Sequence, residues 1–542
     1  MTNESLLNTR ISPDLRLIIF VHFLLFLQTL ANPEIITKAS PTLITLMKKY
    51  FRKVSGLLIL LSIFPGLKAQ EMFGLINSNY SGIHGAIINP SSLTNSKYYL
   101  DINFLTLGIS FENNYIYLAK GEYKFSRFLG KNLPFPTHGI DAKPAYDYYN
   151  TKPKDAFLNE RLMGPSVMLN IGKHAFGITT SFRTVSSAKN IPYEIAKFGY
   201  EGLDYTDQFG INYIDNKKFG AAAISWAELG LSYAYVFKQD NLEYWSGGIT
   251  IKPLLGVSAA YAKINNLDYN LTNRDTVTIN NLDAIAGYSL PIDYATNDFL
   301  RTPVFHGSGV GFDIGITYQK MKKGHQNTSY NSICAIPYKP YLYRIGLSII
   351  DIGSISFKKN AQYLVFDNVN TYWPEFRDIN YQNVNSAVSD ISRQFYNGDS
   401  TKLLQGNKIK VGLPTAFSFQ LDVNYTGNWY INGTIIYPLA IYKAGIIRPA
   451  QLAITPRFET NYFGVDLPLS LYDFKRPRIG ICARIGFLTI GTDKIGGFFN
   501  FNDFTGLDFY FAIKWSFLKG HCRLNAGDYS CGNNEYKKFS KK

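Results

Sequence analysis

Apolar and polar residues alternate along most of the chain from Tyr98 onward, most regularly between Gly309 and Lys320. Side chains on a strand point alternately to its two faces, so a period of two predicts a strand with one apolar and one polar face. The apolar set is Val310, Phe312, Ile314, Ile316 and Tyr318, and the other set is Gly309, Gly311, Asp313, Gly315, Thr317 and Gln319. The pattern recurs over 343–349 and 451–459. In a closed sheet the apolar sets would face lipid and the polar sets a lumen.

Turn residues divide this pattern into about fourteen strands. Two-to-three-residue turns are predicted at Gly172-Lys173-His174, Thr426-Gly427-Asn428 and Glu459-Thr460-Asn461. Longer polar segments lie near 121–164, 187–218, 263–305 and 358–408, and a short helix is predicted within 193–210. The last strand, 507–518, carries aromatic residues on one face, as a strand that closes a barrel and removes its open edge should.

A further short turn is predicted at Glu112-Asn113-Asn114. That turn would place all the short turns at the end of the barrel opposite both termini, and the long segments at the end where the termini lie. Outer-membrane barrels usually have the reverse arrangement. The pattern therefore predicts either long periplasmic loops or a strand that the alternation does not reveal.

The alternating pattern alone would also fit a soluble β-protein, but the amino-acid composition favours a membrane protein. The 542 residues include 39 Tyr, 39 Phe and 44 Gly, and 18% of them are charged. After residue 70 no apolar run reaches the ~20 residues that a membrane helix needs. The chain is therefore predicted to be all-β, a transmembrane antiparallel barrel of about fourteen strands. The formal charge of +15 is dispersed along the chain, which argues against a nucleic-acid partner.

An export signal precedes the alternating region. Residues 47–69 combine a basic start, an apolar stretch and Ala69 before the expected cut, so the mature chain would begin at Gln70. Residues 1–46 lie upstream, and they are either a membrane anchor or an extension added by a misplaced start, the second being favoured. The expected location is the outer membrane of a Gram-negative bacterium. The expected partners are outer-membrane lipid and the barrel-assembly machinery, and a basic periplasmic tail is expected over 519–542.

No catalytic, cofactor or metal site is predicted, and the protein is not expected to be an enzyme. The run Gly307-Ser308-Gly309-Val310-Gly311 leads into a strand, whereas a phosphate loop leads into a helix. The seven histidines are dispersed and no spacing suggests metal ligands. Cys522 and Cys531 bracket a short polar hairpin in the tail, where a disulfide is expected in an oxidising compartment.

The alternation of side chains between the two faces of each strand predicts which set of charged residues points into the lumen. The set is Arg183, Glu228, Lys252, Asp313, Arg457, Glu459, Arg484 and Lys514. One interpretation is a mutually neutralising network that fills the lumen, and the other is a polar path for a solute. Contact of Glu228, Asp313 and Glu459 with an Arg or Lys would identify a structural network.

The order of several short motifs resembles an uncharacterised family of Bacteroidota outer-membrane proteins across 70–520. The motifs include 79–84, Asn89-Pro90-Ser91-Ser92-Leu93, 111–115, 226–230 and 348–353. The Asn89-Pro90 element is also similar to that of the group containing FadL-type transporters of hydrophobic compounds and the PorV shuttle protein. This resemblance implies that 70–97 is a luminal plug within a barrel of residues 98–518.

Two functions are consistent with the resemblance. The first is a FadL-like channel for hydrophobic or small solutes. The second is a non-transporting barrel that holds a secretion or cell-envelope protein in the periplasm. The first is favoured because the best-understood members of the resembling group transport, but the fold alone does not decide between them.

Overall fold

The computed structural model describes the barrel region and the segment just before it. The described residues are 71–120, 146–148, 150–201, 205–215, 217–240, 242–300, 302–322, 341–376, 381–497, 499 and 502–518. The predicted upstream extension, signal peptide and basic tail lie outside these residues. The tail cysteines, for which a disulfide is predicted, also lie outside them.

Most of the described residues lie in 24 strands, because alternating apolar and polar residues suit an extended backbone. The strands are β1 Leu100–Asn113, β2 Ile116–Tyr117, β3 Tyr146–Asp147, β4 Lys154–Met163, β5 Ser166–Ile171, β6 His174–Ile191, β7 Asn212–Asp215, β8 Phe219–Gln239, β9 Glu243–Leu271, β10 Val277–Ser289, β11 Gly307–Met321, β12 Tyr341–Phe357, β13 Ala361–Trp373, β14 Leu404–Gly406, β15 Ile409–Gly412, β16 Ala416–Thr426, β17 Trp429–Pro438, β18 Gln451–Glu459, β19 Phe463–Asp466, β20 Leu469–Tyr472, β21 Arg476–Ile479, β22 Ile481–Ile485, β23 Leu488–Thr492 and β24 Gly506–Phe517.

The α-helices in the described part of the chain are short. They are α1 Phe73–Ile76, α2 Tyr193–Glu201, α3 Val384–Tyr396 and α4 Ser400–Leu403, and the 3₁₀-helices are Gly82–Ile87, Pro90–Asn95, Thr206–Gln208 and Ile495–Gly497. The helix predicted within 193–210 is α2. Among the described residues, no helix combines the length and hydropathy that crossing a bilayer requires.

Strand pairing runs around a closed ring. The pairs β4–β5, β15–β16, β19–β20 and β21–β22 each continue one another across a short break and share neighbours, so each pair forms one barrel strand. Counted in this way the barrel has fourteen antiparallel strands, closed by pairing of β1 with β24. The predicted fold class is confirmed.

The outer surface of the barrel is apolar. Along β11, Val310, Phe312, Ile314 and Ile316 are each 38–53% exposed, whereas Asp313 and the other residues of the alternate set point inward. Exposed aromatic residues surround the short turns, among them Tyr425, Trp429, Tyr462, Phe487 and Trp515. An apolar band with aromatic girdles is the surface that a membrane barrel presents to lipid.

The two ends of the barrel differ, and the predicted turn at Glu112-Asn113-Asn114 is wrong. Strand β1 ends at Asn113 and the chain then leaves the ring until β4 begins at Lys154. The start of β1 and the end of β24 therefore lie at the end that carries the tight turns 172–173, 427–428, 460–462 and 486–487; we call this the short-turn end. The opposite, long-loop end carries the connections 114–153, 192–218, 272–306 and 358–408, whereas the connection 322–340 joins β11 to β12 at the short-turn end. Apart from that connection, the barrel has the usual arrangement, with the tight turns at the end where the ring begins and finishes.

Part of the wall continues beyond the ring at the long-loop end. Above Gly256, β9 exchanges its partner β11 for β10, and β10, β13 and β14 extend the sheet. Helices α3 and α4 pack on this extension, and Asn383 and Ser386 form a capping box at the start of α3. The segments 263–305 and 358–408 are therefore not simply polar connections, because strand-forming residues occur within both of them.

Candidate functional site in the barrel lumen

The centre of the lumen is filled by a plug formed by residues 71–97, which precede β1. The plug consists of α1 and the 3₁₀-helices 82–87 and 90–95, and nearly all of its side chains are buried. It is bonded to opposite sides of the ring, since the Phe73 N–H donates to Asp493 and the Ser348 hydroxyl donates to the Ile88 carbonyl. The barrel interior is thus closed by the chain's own N-terminal segment.

Asn89 joins the plug to the wall. Its side-chain oxygen accepts a hydrogen bond from the Ser91 N–H at 3.0 Å, which caps the following 3₁₀-helix, and Pro90 needs no such partner because it has no N–H. Its Nδ2 donates to Gln420 Oε1 at 3.0 Å and to the Ile316 carbonyl at 3.4 Å. One side chain therefore both shapes the plug and binds two barrel strands.

Two wall glycines make room for this amide. A Cβ atom placed on Gly315 would overlap Asn89 Oδ1, and a Cβ on Gly346 would lie 2.8 Å from Asn89 Nδ2. A close approach of this kind is a position where a strand tolerates glycine for steric reasons. The Asn89 site therefore consists of a polar plug residue and a gap in the side chains of β11 and β12.

Substitution of Asn89 by alanine should destabilise the folded barrel. The variant leaves the buried Gln420 acceptor without its plug partner, so we expect a loss of about 1–3 kcal/mol in the free energy of unfolding. Urea-dependent unfolding in detergent micelles, followed by tryptophan fluorescence, measures this loss. The matched control is Asn212→Ala on the exposed β7, for which the change should stay within about 0.5 kcal/mol. Equal midpoints for the two variants would contradict the assignment.

An ion cluster lies in the lumen near the short-turn end. Arg457 Nη2 lies 2.6 Å from Asp422 and its Nε lies 3.0 Å from Glu459, while Arg344 lies 2.7 Å from Asp422. The plug joins this cluster, because Asn79 donates to Glu459 from both its backbone and its side chain, at 3.0 and 2.8 Å. Buried charges that are paired and hydrogen-bonded in this way hold wall and plug in one register.

The two other predicted luminal cations near this end bind the plug or a turn directly. Arg484 donates to the Asn461 carbonyl at 3.2 Å, and its guanidinium lies 4.2 Å from the centroid of the Tyr80 ring. Lys514 donates to the carbonyls of Tyr80 and Ser81 at 2.5 and 3.1 Å. Lys514 also lies 3.6 Å from Asp101, so these charges are satisfied by carbonyl oxygens, an aromatic face and one carboxylate.

A second ion cluster, which we call the central cluster, crosses the lumen between β6, β8, β9, β11 and β12. Arg183 makes a bidentate pair with Asp351 at 2.8 and 3.0 Å and lies 3.5 Å from Glu228. Lys252 lies 2.6 Å from both Asp351 and Asp313. All five side chains are buried. Two cations thus share three carboxylates, with Asp351 in contact with both.

The structure places all of the predicted luminal charges inside the barrel. Glu228, Asp313 and Glu459 each contact an Arg or Lys, at 3.5, 2.6 and 3.0 Å respectively. By the criterion derived from the sequence, these charges form a mutually neutralising structural network. A solute path lined by these carboxylates would require breaking the pairs.

Sequence reasoning missed the residue at the centre of this network. Asp351 follows two adjacent isoleucines, so the simple alternation of β12 breaks before it. The backbone of Asp351 is left-handed, with φ +56°, and its N–H donates to Asp313 Oδ1 at 2.7 Å. This irregularity turns the side chain toward Arg183 and Lys252. The sequence signals for it were the broken alternation at 349–351 and its place within the motif 348–353.

Toward the long-loop end the lumen becomes apolar on one side. This region, which we call the apolar compartment, is lined by buried residues of β6, β8, β9, β12 and β15 and the residue after β15. They include Val185, Ile224, Trp226, Leu254, Ile355, Phe357, Val411 and Leu413. The central cluster lies beneath it, since Arg183 stacks on Trp226 at 4.7 Å and Lys252 is two residues from Leu254 on one strand.

The connection 439–450 folds into the mouth of the barrel and occupies the apolar compartment. Ile446 is buried within the compartment, and its N–H donates to the Gly412 carbonyl at 3.2 Å. The Ile447 N–H donates to Ser187 Oγ at 3.1 Å, so the loop reaches β6 on the far side. The compartment is thus filled by a surface loop and not by a strand of the wall.

No chemistry beyond binding is evident in these surroundings. Within the residues that the structure describes, no group of three or more His, Cys, Asp or Glu is placed to hold a metal ion. Cys482, the one cysteine in the described ranges, is buried and free. The lumen therefore offers packing surfaces, ion pairs and hydrogen bonds.

Comparison with known families gives one match. The family described as "Family of unknown function (DUF5723)" matches residues 90–493, which include the second half of the plug and most of the barrel. A comparison with curated protein sequences found no match.

Several solved structures of membrane channels are similar to this chain at low identity. A deletion mutant of the TodX monoaromatic hydrocarbon channel is 8% identical, covers 81% of this chain and 95% of its own, and has a TM-score of 0.37. The Pseudomonas putida toluene transporter TodX is 9% identical, with coverages of 84% and 100% and a TM-score of 0.27. A Pseudomonas aeruginosa FadL homologue is 9% identical, with coverages of 84% and 99% and a TM-score of 0.26. The fold described above rests on strand pairing and not on these likenesses.

Proposed function

We propose that this chain, which belongs to the DUF5723 family of unknown function, is an outer-membrane channel for hydrophobic solutes that is closed at rest. The observation that carries the proposal is the apolar compartment inside the barrel. The lumen of a membrane barrel is ordinarily polar, because apolar side chains are needed on the lipid face and not on the inner one. A luminal region with aromatic and aliphatic walls is instead the environment that a hydrophobic ligand requires once the loop leaves it.

The loop 439–450 keeps the compartment closed in this proposal. Ile446 occupies the apolar volume, and Arg448, two residues later, makes an ion pair with Glu71 of the plug. Withdrawal of the loop would open the compartment to the long-loop end, while the plug still closes the lumen beneath it. Passage across the membrane would therefore need a second movement, that of the plug.

The proposed orientation places the short-turn end in the periplasm and the long-loop end outside the cell. The usual arrangement of bacterial barrels, with both termini and the short turns on the periplasmic side, supports it. The export signal over 47–69, the Bacteroidota origin and the PorV likeness remain predictions from the sequence. So do the assembly-machinery and lipid partners.

Removal of the loop should convert the closed compartment into a binding site. A variant with 440–447 replaced by Gly and Ser residues should bind the fluorescent probe N-phenyl-1-naphthylamine saturably, whereas the unaltered protein should bind little. Adding Leu254→Asn to that variant should abolish binding, because a polar amide then lines the compartment. The same Gly-Ser replacement of the turn 486–487 at the short-turn end is the matched control and should leave binding unchanged.

Transport itself is tested in liposomes that carry the mature protein, residues 70–542. We expect uptake of the probe to rise when 70–97 is deleted together with the loop replacement. If the barrel neither binds nor admits the probe in any of these variants, the channel function is refuted. The alternative of a scaffold for a secretion or envelope protein would then be the one to pursue.

A further inference from the structure

A second cavity lies between the plug and the barrel wall, away from the apolar compartment. It has a volume of about 40 Å³ and is bounded on the wall side by β11, β12, β16 and β17. The plug lines it with Asn77, Ser92 and Asn95, and the wall lines it with Thr317, Gln420 and Asp422. Most of the residues around this cavity carry polar side chains, in contrast to those of the apolar compartment.

Four side-chain atoms around this cavity have no hydrogen-bond partner in the protein. They are one donor, Asn77 Nδ2, and three oxygens, Ser92 Oγ, Asn95 Oδ1 and Asp422 Oδ1. Asn77, Asn95 and Asp422 are each more than nine-tenths buried. A buried polar atom left unpaired costs about 1–3 kcal/mol. Four such atoms around one cavity therefore indicate a guest that both donates and accepts hydrogen bonds.

The charges beside the cavity are already neutralised. Asp422 Oδ2 is paired with both Arg344, at 2.7 Å, and Arg457, at 2.6 Å. An ionic guest would have to compete with these pairs, so an uncharged guest is favoured. One water molecule needs about 10–15 Å³ of such volume, so the cavity has room for about three.

The opposite side of the plug is different. Ile83, Ala86 and Leu93 pack there against Met168 and Ala234 of the wall, and these residues are buried in one apolar cluster. Two buried hydrogen bonds also join the plug to the wall there, from the Ile83 N–H to Asp101 at 2.9 Å and from Asn170 to the Leu93 carbonyl at 3.0 Å. The plug therefore has one cavity-bearing side and one close-packed side.

We propose that the cavity is a binding site for water and other small uncharged hydrogen-bonding molecules, and that they reach it along this side of the plug and not along the close-packed side. The guest bonds to Asn77, Ser92, Asn95 and Asp422, which links the plug to the wall through molecules that exchange. Separation of plug and wall on this side leaves the apolar cluster of Ile83, Ala86 and Leu93 buried, whereas separation on the opposite side would expose it. The cavity-bearing side is thus the one along which the plug loosens.

Cysteine labelling tests this side preference. In a full-length mature protein whose native cysteines are replaced by alanine, one variant carries Ser92→Cys and the other carries Ala86→Cys. Each is treated with iodoacetamide, a small uncharged reagent, and with iodoacetate, its anionic counterpart. Both variants should first show the heat-dependent shift in gel mobility that marks a folded barrel.

We expect iodoacetamide to modify Ser92→Cys at least about tenfold faster than Ala86→Cys, because reaction requires access to the thiol. Iodoacetate should be slower than iodoacetamide at Ser92→Cys. Equal rates at the two positions, or faster reaction with the anion, would overturn the proposal. A crystal structure of the unaltered protein gives an independent reading: ordered water bonded to the four unpaired atoms is expected, and a cavity without density would also overturn it.

Discussion

Replacing Asp351 by asparagine should lower the free energy of unfolding of the barrel by about 3–5 kcal/mol, the largest effect expected of a single charge in this protein. Asp351 is the carboxylate shared by Arg183 and Lys252, so its neutralisation leaves two buried cations with fewer counter-charges. Asparagine tolerates the left-handed backbone found at this position, so the substitution isolates the loss of charge from backbone strain. Urea-dependent unfolding in detergent micelles measures the change.

The control for this prediction is an ion pair that is exposed to water. Lys238 and Asp240 lie 3.3 Å apart with side chains more than half exposed. Asp240→Asn should therefore change the free energy of unfolding by less than about 1 kcal/mol. Similar small effects for both variants would show that the central cluster is not what holds β6, β9 and β12 together across the lumen.

Replacing Gly315 by valine should release the plug from a barrel that still forms. The added side chain would occupy the space of the Asn89 amide. Overpacking costs about 1–3 kcal/mol and the hydrogen bonds of Asn89 would be lost as well. Because valine suits a strand, the wall itself should be retained. In the background with 440–447 replaced by Gly and Ser residues, planar-bilayer recordings should then show channel openings that the loop replacement alone does not show.

Gly247→Val is the matched control for Gly315→Val. Gly247 lies on the neighbouring strand β9, where an added Cβ would make ordinary contacts of 3.6 Å or more. That variant should stay closed. If Gly315→Val remains closed and as stable as Gly247→Val, the Asn89 site does not seat the plug.

The period-two pattern was sufficient to predict the wall of this protein. Lipid and lumen faces along β11 and β18 follow directly from alternation, because a strand buries every second residue. The tight turns at 172–173 and 427–428 were likewise readable from glycine and asparagine at turn positions. The position of 71–97 in the lumen came from a family resemblance and not from periodicity.

The features that were missed depend on contacts between residues far apart in the chain. Loop 439–450 has no periodicity that would place Ile446 beneath β15. Strands β10 and β13 pair only because β9 continues past the ring, and no local pattern shows how far a strand continues. The false turn at 112–114 arose because Asn113 and Asn114 favour a turn whether or not a strand returns after it.

The pairing of the first barrel strand with the last has a consequence for biogenesis. Lys514, on β24, donates hydrogen bonds to the Tyr80 and Ser81 carbonyls of the plug. Part of the surface that binds the plug is therefore synthesised more than 400 residues after the plug itself. The ring cannot close until β24 meets β1. The plug must therefore lie among strands that are not yet closed into a ring, and it is enclosed only when β24 pairs with β1. A chain that stalls before β24 leaves an open sheet edge, which can pair with other chains, and a segment 71–97 that no closed ring encloses.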